Sequence, residues 1–137
     1  MIGLVLVTHE CIGAELLTAV NAIVGPQKQI EAITIGPDDE MNVCRDRIFS
    51  AIKAVDSGDG VILLVDMFGG TPSNLAIASM PMGHAVVLVG VNLPMLIKLA
   101  SVRGSLSLFD AAHEAESAGR KYIQLISENL AAGNSNE

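Results

Sequence analysis

Two residues able to do chemistry each close a short apolar run. His9 follows the run of residues 2–7, and Asp66 follows residues 61–65, Val-Ile-Leu-Leu-Val. An imidazole that donates one N–H to a carboxylate has its tautomer fixed and presents its other nitrogen as a nucleophile. Directly after Asp66 comes Met67-Phe68-Gly69-Gly70-Thr71-Pro72-Ser73-Asn74. The paired glycines let the backbone take positive φ or approach a ligand closely, and Thr71-Pro72 reads as a helix N-cap followed by proline at the first helical position. Free amides there make an anion site, with Gly69, Gly70, Thr71, Ser73 and Asn74 as its candidate phosphate-binding residues. An anion site beside a carboxylate is odd unless a third group sits between them, and His9 supplies it. The set suits loose, in-line phosphoryl transfer, with the histidine accepting and donating phosphate and the turn stabilising the equatorial oxygens.

Each residue also has a plainer role, and only the conjunction points to chemistry. A histidine at a strand end can be a solvated loop residue, Asp66 a loop cap and Gly69-Gly70 a tight connection. His84 starts a strand and His113 lies within a helix, so both read as structural, and Cys11 reads as packing in a first helical turn. A zinc set of His9, Cys11 and His84 lacks ligand spacing. No metal and no cofactor is expected, and no GxxxxGK[ST] follows a strand to cradle a nucleotide. With net charge −7 and eight scattered Lys and Arg, nucleic acid is not an expected partner. Two cysteines, Cys11 and Cys44, fit free thiols in a reducing compartment. Neither a membrane span nor a signal peptide is visible, which places the chain in the cytoplasm without membrane insertion.

The elements that must position these residues alternate. Residues 2–7 form a strand, and a helix follows with Ala14, Leu17, Val20, Ile23 and Val24 at helical spacing, stopped by Gly25-Pro26. Residues 29–35 read as an edge-proximal strand. Residues 41–55 form a helix with Val43, Ile48, Ala51, Ile52 and Val55 on one face. After the strand at 61–65, a helix begins at Pro72, strand 84–90 follows, and then come a helix with Met95, Leu96 and Leu99, a helix over 105–118 closed by Gly119, and a last short strand at 122–126. Unbroken β-branched runs mark strands covered on both faces. The pattern is one α/β domain over residues 1–127, a doubly wound, mostly parallel sheet with helices on both faces, followed by a short polar tail at 128–137. In such sheets ligands bind beyond the carboxyl ends of strands, where the strand order reverses. If the first and third strands are neighbours, His9 and Asp66 face each other there.

Val7-Thr8-His9, Leu64 through Asn74, and Gly90-Val91-Asn92-Leu93-Pro94-Met95-Leu96 together resemble the IIA component of the mannose family of the bacterial phosphoenolpyruvate-dependent sugar phosphotransferase system. The resemblance implies a four-stranded parallel sheet of order 2134, with a C-terminal strand at 122–126 exchanged within a homodimer. It further implies that His9, hydrogen-bonded to Asp66, takes phosphate from the phosphocarrier HPr and passes it to a IIB component, here on a separate polypeptide. Glu10 stands where the family usually has glycine, and its carboxylate either repels an incoming phosphate or meets a basic partner. Ser73 stands where a bulky apolar residue is common, adding a hydrogen bond and altering the rim. The competing reading is a regulatory module in which His9 phosphorylation controls a partner protein without sugar transport. A dihydroxyacetone-kinase phosphodonor subunit fits the turn and the Gly-Val-Asn-Leu-Pro segment less well. A receiver domain fails because Thr8-His9 stands where it needs an acidic pair.

Overall fold

The computed structural model describes residues 1–127. The expected tail at 128–137 lies outside the described residues. In chain order the elements are β1 (Gly3–His9), α1 (Ile12–Val24), β2 (Ile30–Ile35), α2 (Met41–Val55), β3 (Val61–Val65), α3 (Thr71–Ser79), a single 3-10 turn (Met80–Met82), β4 (Ala85–Val89), α4 (Leu93–Val102) and α5 (Leu108–Lys121). The four strands form one sheet of order β2-β1-β3-β4, every pair parallel. The order reverses at β1 and β3, the switch point where such sheets place ligands.

Both faces of the sheet are covered, which is why its central strands carry no polar alternation. Val5, Val7, Val61, Leu63 and Val65 point into one core layer with Ile48, Ile52 and Val55 of α2 and Leu75 of α3. Leu4, Leu6, Ile62 and Leu64 point the other way, into a layer with Val20, Leu96, Leu99, Leu108 and Ala115 from α1, α4 and α5. Each fully buried aliphatic side chain contributes roughly 1.5–3 kcal/mol, an upper range because unfolded chains are already partly compact. This two-layer burial anchors the strand ends from which His9 and Asp66 project.

Several local expectations change. The buried stripe of α2 is Cys44, Ile48, Ala51, Ile52 and Val55, a helical spacing that leaves Val43 exposed; Ile23 and Val24 of α1 are exposed as well. Gly70, extended, occupies the N-cap position of α3, so Thr71 and Pro72 are its first two residues and the threonine side chain caps nothing. Helix α5 starts at Leu108 because the Ser107 hydroxyl caps it, accepting the Asp110 N–H at 3.3 Å. It also runs past Gly119, which does not end it. A Cβ there would stand 3.0 Å from the Met95 thioether methyl, so the glycine serves close packing of α4 on α5. Residues 122–126 form no strand within the single chain. Cys11 is exposed at the start of α1, outside the core, while Cys44 is buried. No helix among the described residues is long and apolar enough to cross a membrane.

Candidate functional site

The site is built by register. Val7 of β1 pairs with Val65 of β3, so Asp66, one residue further on, arrives beside the last turn of β1. One carboxylate oxygen, Oδ2, accepts both the backbone N–H of His9 and its ring Nδ1, each at 2.9 Å. The second oxygen, Oδ1, accepts the Met67 amide at 3.0 Å. Asp66 is 12% exposed and His9 42%, so the acid sits beneath and the ring reaches solvent. Burial pushes the Asp66 carboxyl up, but the His9 amide, ring and charge and the Met67 amide outweigh it, and the carboxyl lies below its usual range. With Nδ1 donating to Asp66, the nitrogen left to act as a nucleophile is Nε2.

The chain leaves His9 through a strained turn. Glu10 has φ +48°, in the left-handed region where an L side chain costs about 1–2 kcal/mol. Its N–H donates to the Ile35 carbonyl at 3.0 Å. Thr8, fully buried, accepts the Gly13 N–H on its hydroxyl at 2.7 Å, tying the end of β1 to the start of α1. The position therefore favours glycine for a backbone reason, and Glu10 is held there by its surroundings.

On the other side of the ring lies the glycine turn. Gly69 has φ +91°, and a Cβ on Gly70 would stand 2.8 Å from His9 Cε1 and 3.1 Å from Nε2. Gly70 itself is at φ −94°, so glycine is required there for clearance and not for conformation. Among the described residues, the Thr71 amide has no protein acceptor, whereas Gly70 closes a tight turn over Phe68 and Gly69, the Gly69 amide donates to Ser73 Oγ and the Asn74 amide donates to the Gly70 carbonyl. Ser73 was expected at the phosphate and at the rim. It is fully buried instead, with its hydroxyl spent inside the turn, because the turn it follows folds back over it. Asn74 is exposed on α3, one turn away from the free Thr71 amide.

An open cleft of about 290 Å³ borders the ring, lined by His9, Glu10, Ile35, Asp39, Met41 and Thr71 among others. Met67 and Phe68, directly after Asp66, stand exposed. The loops at this end carry Glu10, Asp38, Asp39 and Glu40 and no lysine or arginine. The Gly90 and Val91 amides both donate to the Val65 carbonyl at 2.9 Å, which ties the end of β4 to the residue before Asp66. Asn92 caps α4 by accepting the Met95 N–H and also donates to the Gly119 carbonyl, both at 3.0 Å. His84 precedes β4 at the opposite end of the sheet, and His113 is exposed on α5 near Glu116. Sequence reading missed the roles of Thr8 and Gly13, whose only signal was a threonine and a glycine flanking the strand-to-helix turn.

The model of the PTS system fructose IIA component family matches residues 3–116. The chain belongs to that family. Its relatives include the PTS system fructose-specific EIIA component of Bacillus subtilis strain 168, 27% identical over 131 residues, covering 95% of this chain and 90% of that protein. The PTS system mannose-specific EIIAB component of Escherichia coli K12 is 29% identical over 110 residues, 80% of this chain but only 34% of that protein, so the chain spans about a third of its length. The solved phosphotransferase system component EIIA of Streptococcus agalactiae superposes with a TM-score of 0.83 at 22% identity, covering 95% of this chain and 99% of that one; at that identity the likeness speaks for the fold. As a IIA component, the chain is a phosphotransferase component with a phosphocarrier role in a sugar phosphotransferase system.

Proposed function

We propose that His9 is the phosphoacceptor of this IIA component, taking a phosphoryl group from phosphohistidine on HPr and passing it to a IIB component on a separate polypeptide in the cytoplasm. The observation that carries this reading is the Nδ1 to Asp66 Oδ2 hydrogen bond of 2.9 Å on a half-exposed ring. It leaves Nε2 as the attacking atom, facing the Gly70 backbone at the entry to α3. In the transfer the Nε2 lone pair forms a new N–P bond while the donor's N–P bond breaks and its electron pair returns to the donor ring. Nδ1 keeps its proton throughout. Asp66 balances the positive charge that develops on the His9 ring, and the Thr71 amide takes a phosphoryl oxygen, with the Thr71 hydroxyl in reach of the same cleft. Transfer onward reverses these roles.

Incubation with phosphoenolpyruvate, enzyme I and HPr, followed by intact-mass measurement before and after mild acid, tests the assignment. Wild type is expected to gain one acid-labile phosphate and His9→Ala none. An acid-labile phosphate that persists in the alanine variant would remove His9 from the mechanism.

A further inference from the structure

Ser73 is a fully buried polar residue whose hydroxyl bonds the two glycines that stand against the histidine. Its hydroxyl accepts the Gly69 N–H at 3.0 Å and donates to the Gly70 carbonyl at 2.9 Å. Those two glycines form the turn against the ring: Gly69 is held at φ +91°, and the Gly70 backbone comes so near that a Cβ would meet both Cε1 and Nε2 of His9. Among the described residues no other group engages the Gly69 amide. The imidazole is thus held from two sides, by Asp66 on the Nδ1 edge and by the turn on the Nε2 edge. Asp66 sets tautomer and orientation; the turn sets how far the Thr71 amide stands from the reacting nitrogen.

We propose that Ser73 is a positioning residue for phosphoryl transfer, its hydroxyl clamping the Gly69-Gly70 turn at the distance from His9 Nε2 that transfer requires. This deepens the phosphohistidine reading and rests on it. A short hydroxyl is suited to the task because it donates and accepts at once. The variants are expected to keep the fold, since the Gly70 carbonyl still accepts the Asn74 N–H at 3.1 Å and Gly69 lies in an exposed turn. The loss falls on geometry, where small misplacements slow a reaction that depends on pre-set distances.

The test compares Ser73→Ala, Ser73→Val and Ser73→Thr in transfer from phosphorylated HPr. Valine and threonine match in size and differ in the hydroxyl. Ala and Val are expected to lower kcat about tenfold, equivalent to about 1.4 kcal/mol in the barrier, with KM within about twofold of wild type. Thr is expected to keep at least about half of wild-type kcat by the same measure. The NMR signal of the His9 Cε1 proton is expected to shift in Ala and Val and to stay in place in Thr. Wild-type kcat in Ala and Val, or equal impairment of all three variants, would overturn the proposal. A wild-type chain that takes no phosphate on His9 in the same assay would instead remove the parent reading and this one with it.

Discussion

One oxygen of Asp66 receives two N–H groups of the same histidine, one from the backbone and one from the ring, so ring tilt and strand end are fixed together. Asn at this position changes the sign of the ring contact, since its amide N–H₂ can donate to Nδ1 and favour the tautomer with the proton on Nε2. Asp66→Asn is therefore expected to slow transfer by about 1.4–4 kcal/mol in the barrier with the fold intact; unchanged rates would mean the carboxylate does not orient the ring. Because the folded carboxyl lies below its ordinary range, the unfolded chain takes up the proton first on acidification. The stabilisation from Asp66 is complete above the ordinary carboxylate pKa of about 4 and is lost as pH falls through the lowered folded value. In thermal melts the gap between wild type and Asp66→Asn should hold from neutral pH to about 5 and close below about 4; a gap that widens in acid would contradict this sign. Gly70→Ala offers a different dissection. Its backbone suits alanine, but the new methyl would press 2.8 Å from His9 Cε1, so transfer should fall at least about tenfold while the melting temperature, followed by circular dichroism, barely moves.

Among the elements, Arg103 is the residue that no pattern announced. It lies at the end of α4, 2% exposed, and donates to the Ile2 carbonyl at 2.9 Å, the Gln29 carbonyl at 2.7 Å and the Gln27 side chain at 3.4 Å. Burial lowers its pKa, and carbonyls rather than a carboxylate receive its protons, clasping the starts of β1 and β2. Arg103→Met should remove the side-chain donor from the buried Ile2 carbonyl, while the Gln29 carbonyl still accepts the Leu4 N–H at 3.0 Å, and cost about 1–3 kcal/mol, read as a lower midpoint in urea, with His9 phosphorylation unchanged at a permissive temperature. An unchanged midpoint would show the clasp to be idle. Strands β1, β3 and β4 and helix α2 were legible from sequence because unbroken apolar runs and an i, i+4, i+7 stripe follow directly from two-sided and one-sided burial. The convergence of His9 and Asp66 was legible as a condition, since both close strands and meet only if those strands are neighbours, and that order came with the family resemblance. The clasp was not, since its acceptors are backbone atoms that carry no side-chain signature, and the burial of Ser73 was hidden because a hydroxyl beside a glycine turn reads as surface. Gly119 misled for a related reason: a glycine needed for helix contact looks like a glycine that ends a helix.

At the scale of the whole molecule, the sheet is unfinished at β4. That strand is only half-buried and has no outer neighbour among the described residues, while Tyr122, Ile123, Leu125 and Ile126 follow α5 exposed and unpaired into any strand. We propose that residues 122–126 pair in a second copy, giving the exchanged homodimer that the sequence resemblance implies. Sedimentation equilibrium should find a dimer for the full chain at micromolar concentration and a monomer for a chain cut after Lys121. A full-length monomer would dismiss the exchange. The loops at the strand-carboxyl end carry Glu10, Asp38, Asp39 and Glu40, and Glu10 and Asp39 line the cleft beside the partly exposed His9 ring.

The most direct test of that geometry is which ring nitrogen carries the phosphate. Nitrogen-detected NMR of chain labelled at histidine and phosphorylated through HPr should place the phosphoryl group on Nε2 of His9, with Nδ1 still protonated and bonded to Asp66. Phosphate on Nδ1, or on a residue other than His9, would contradict the account.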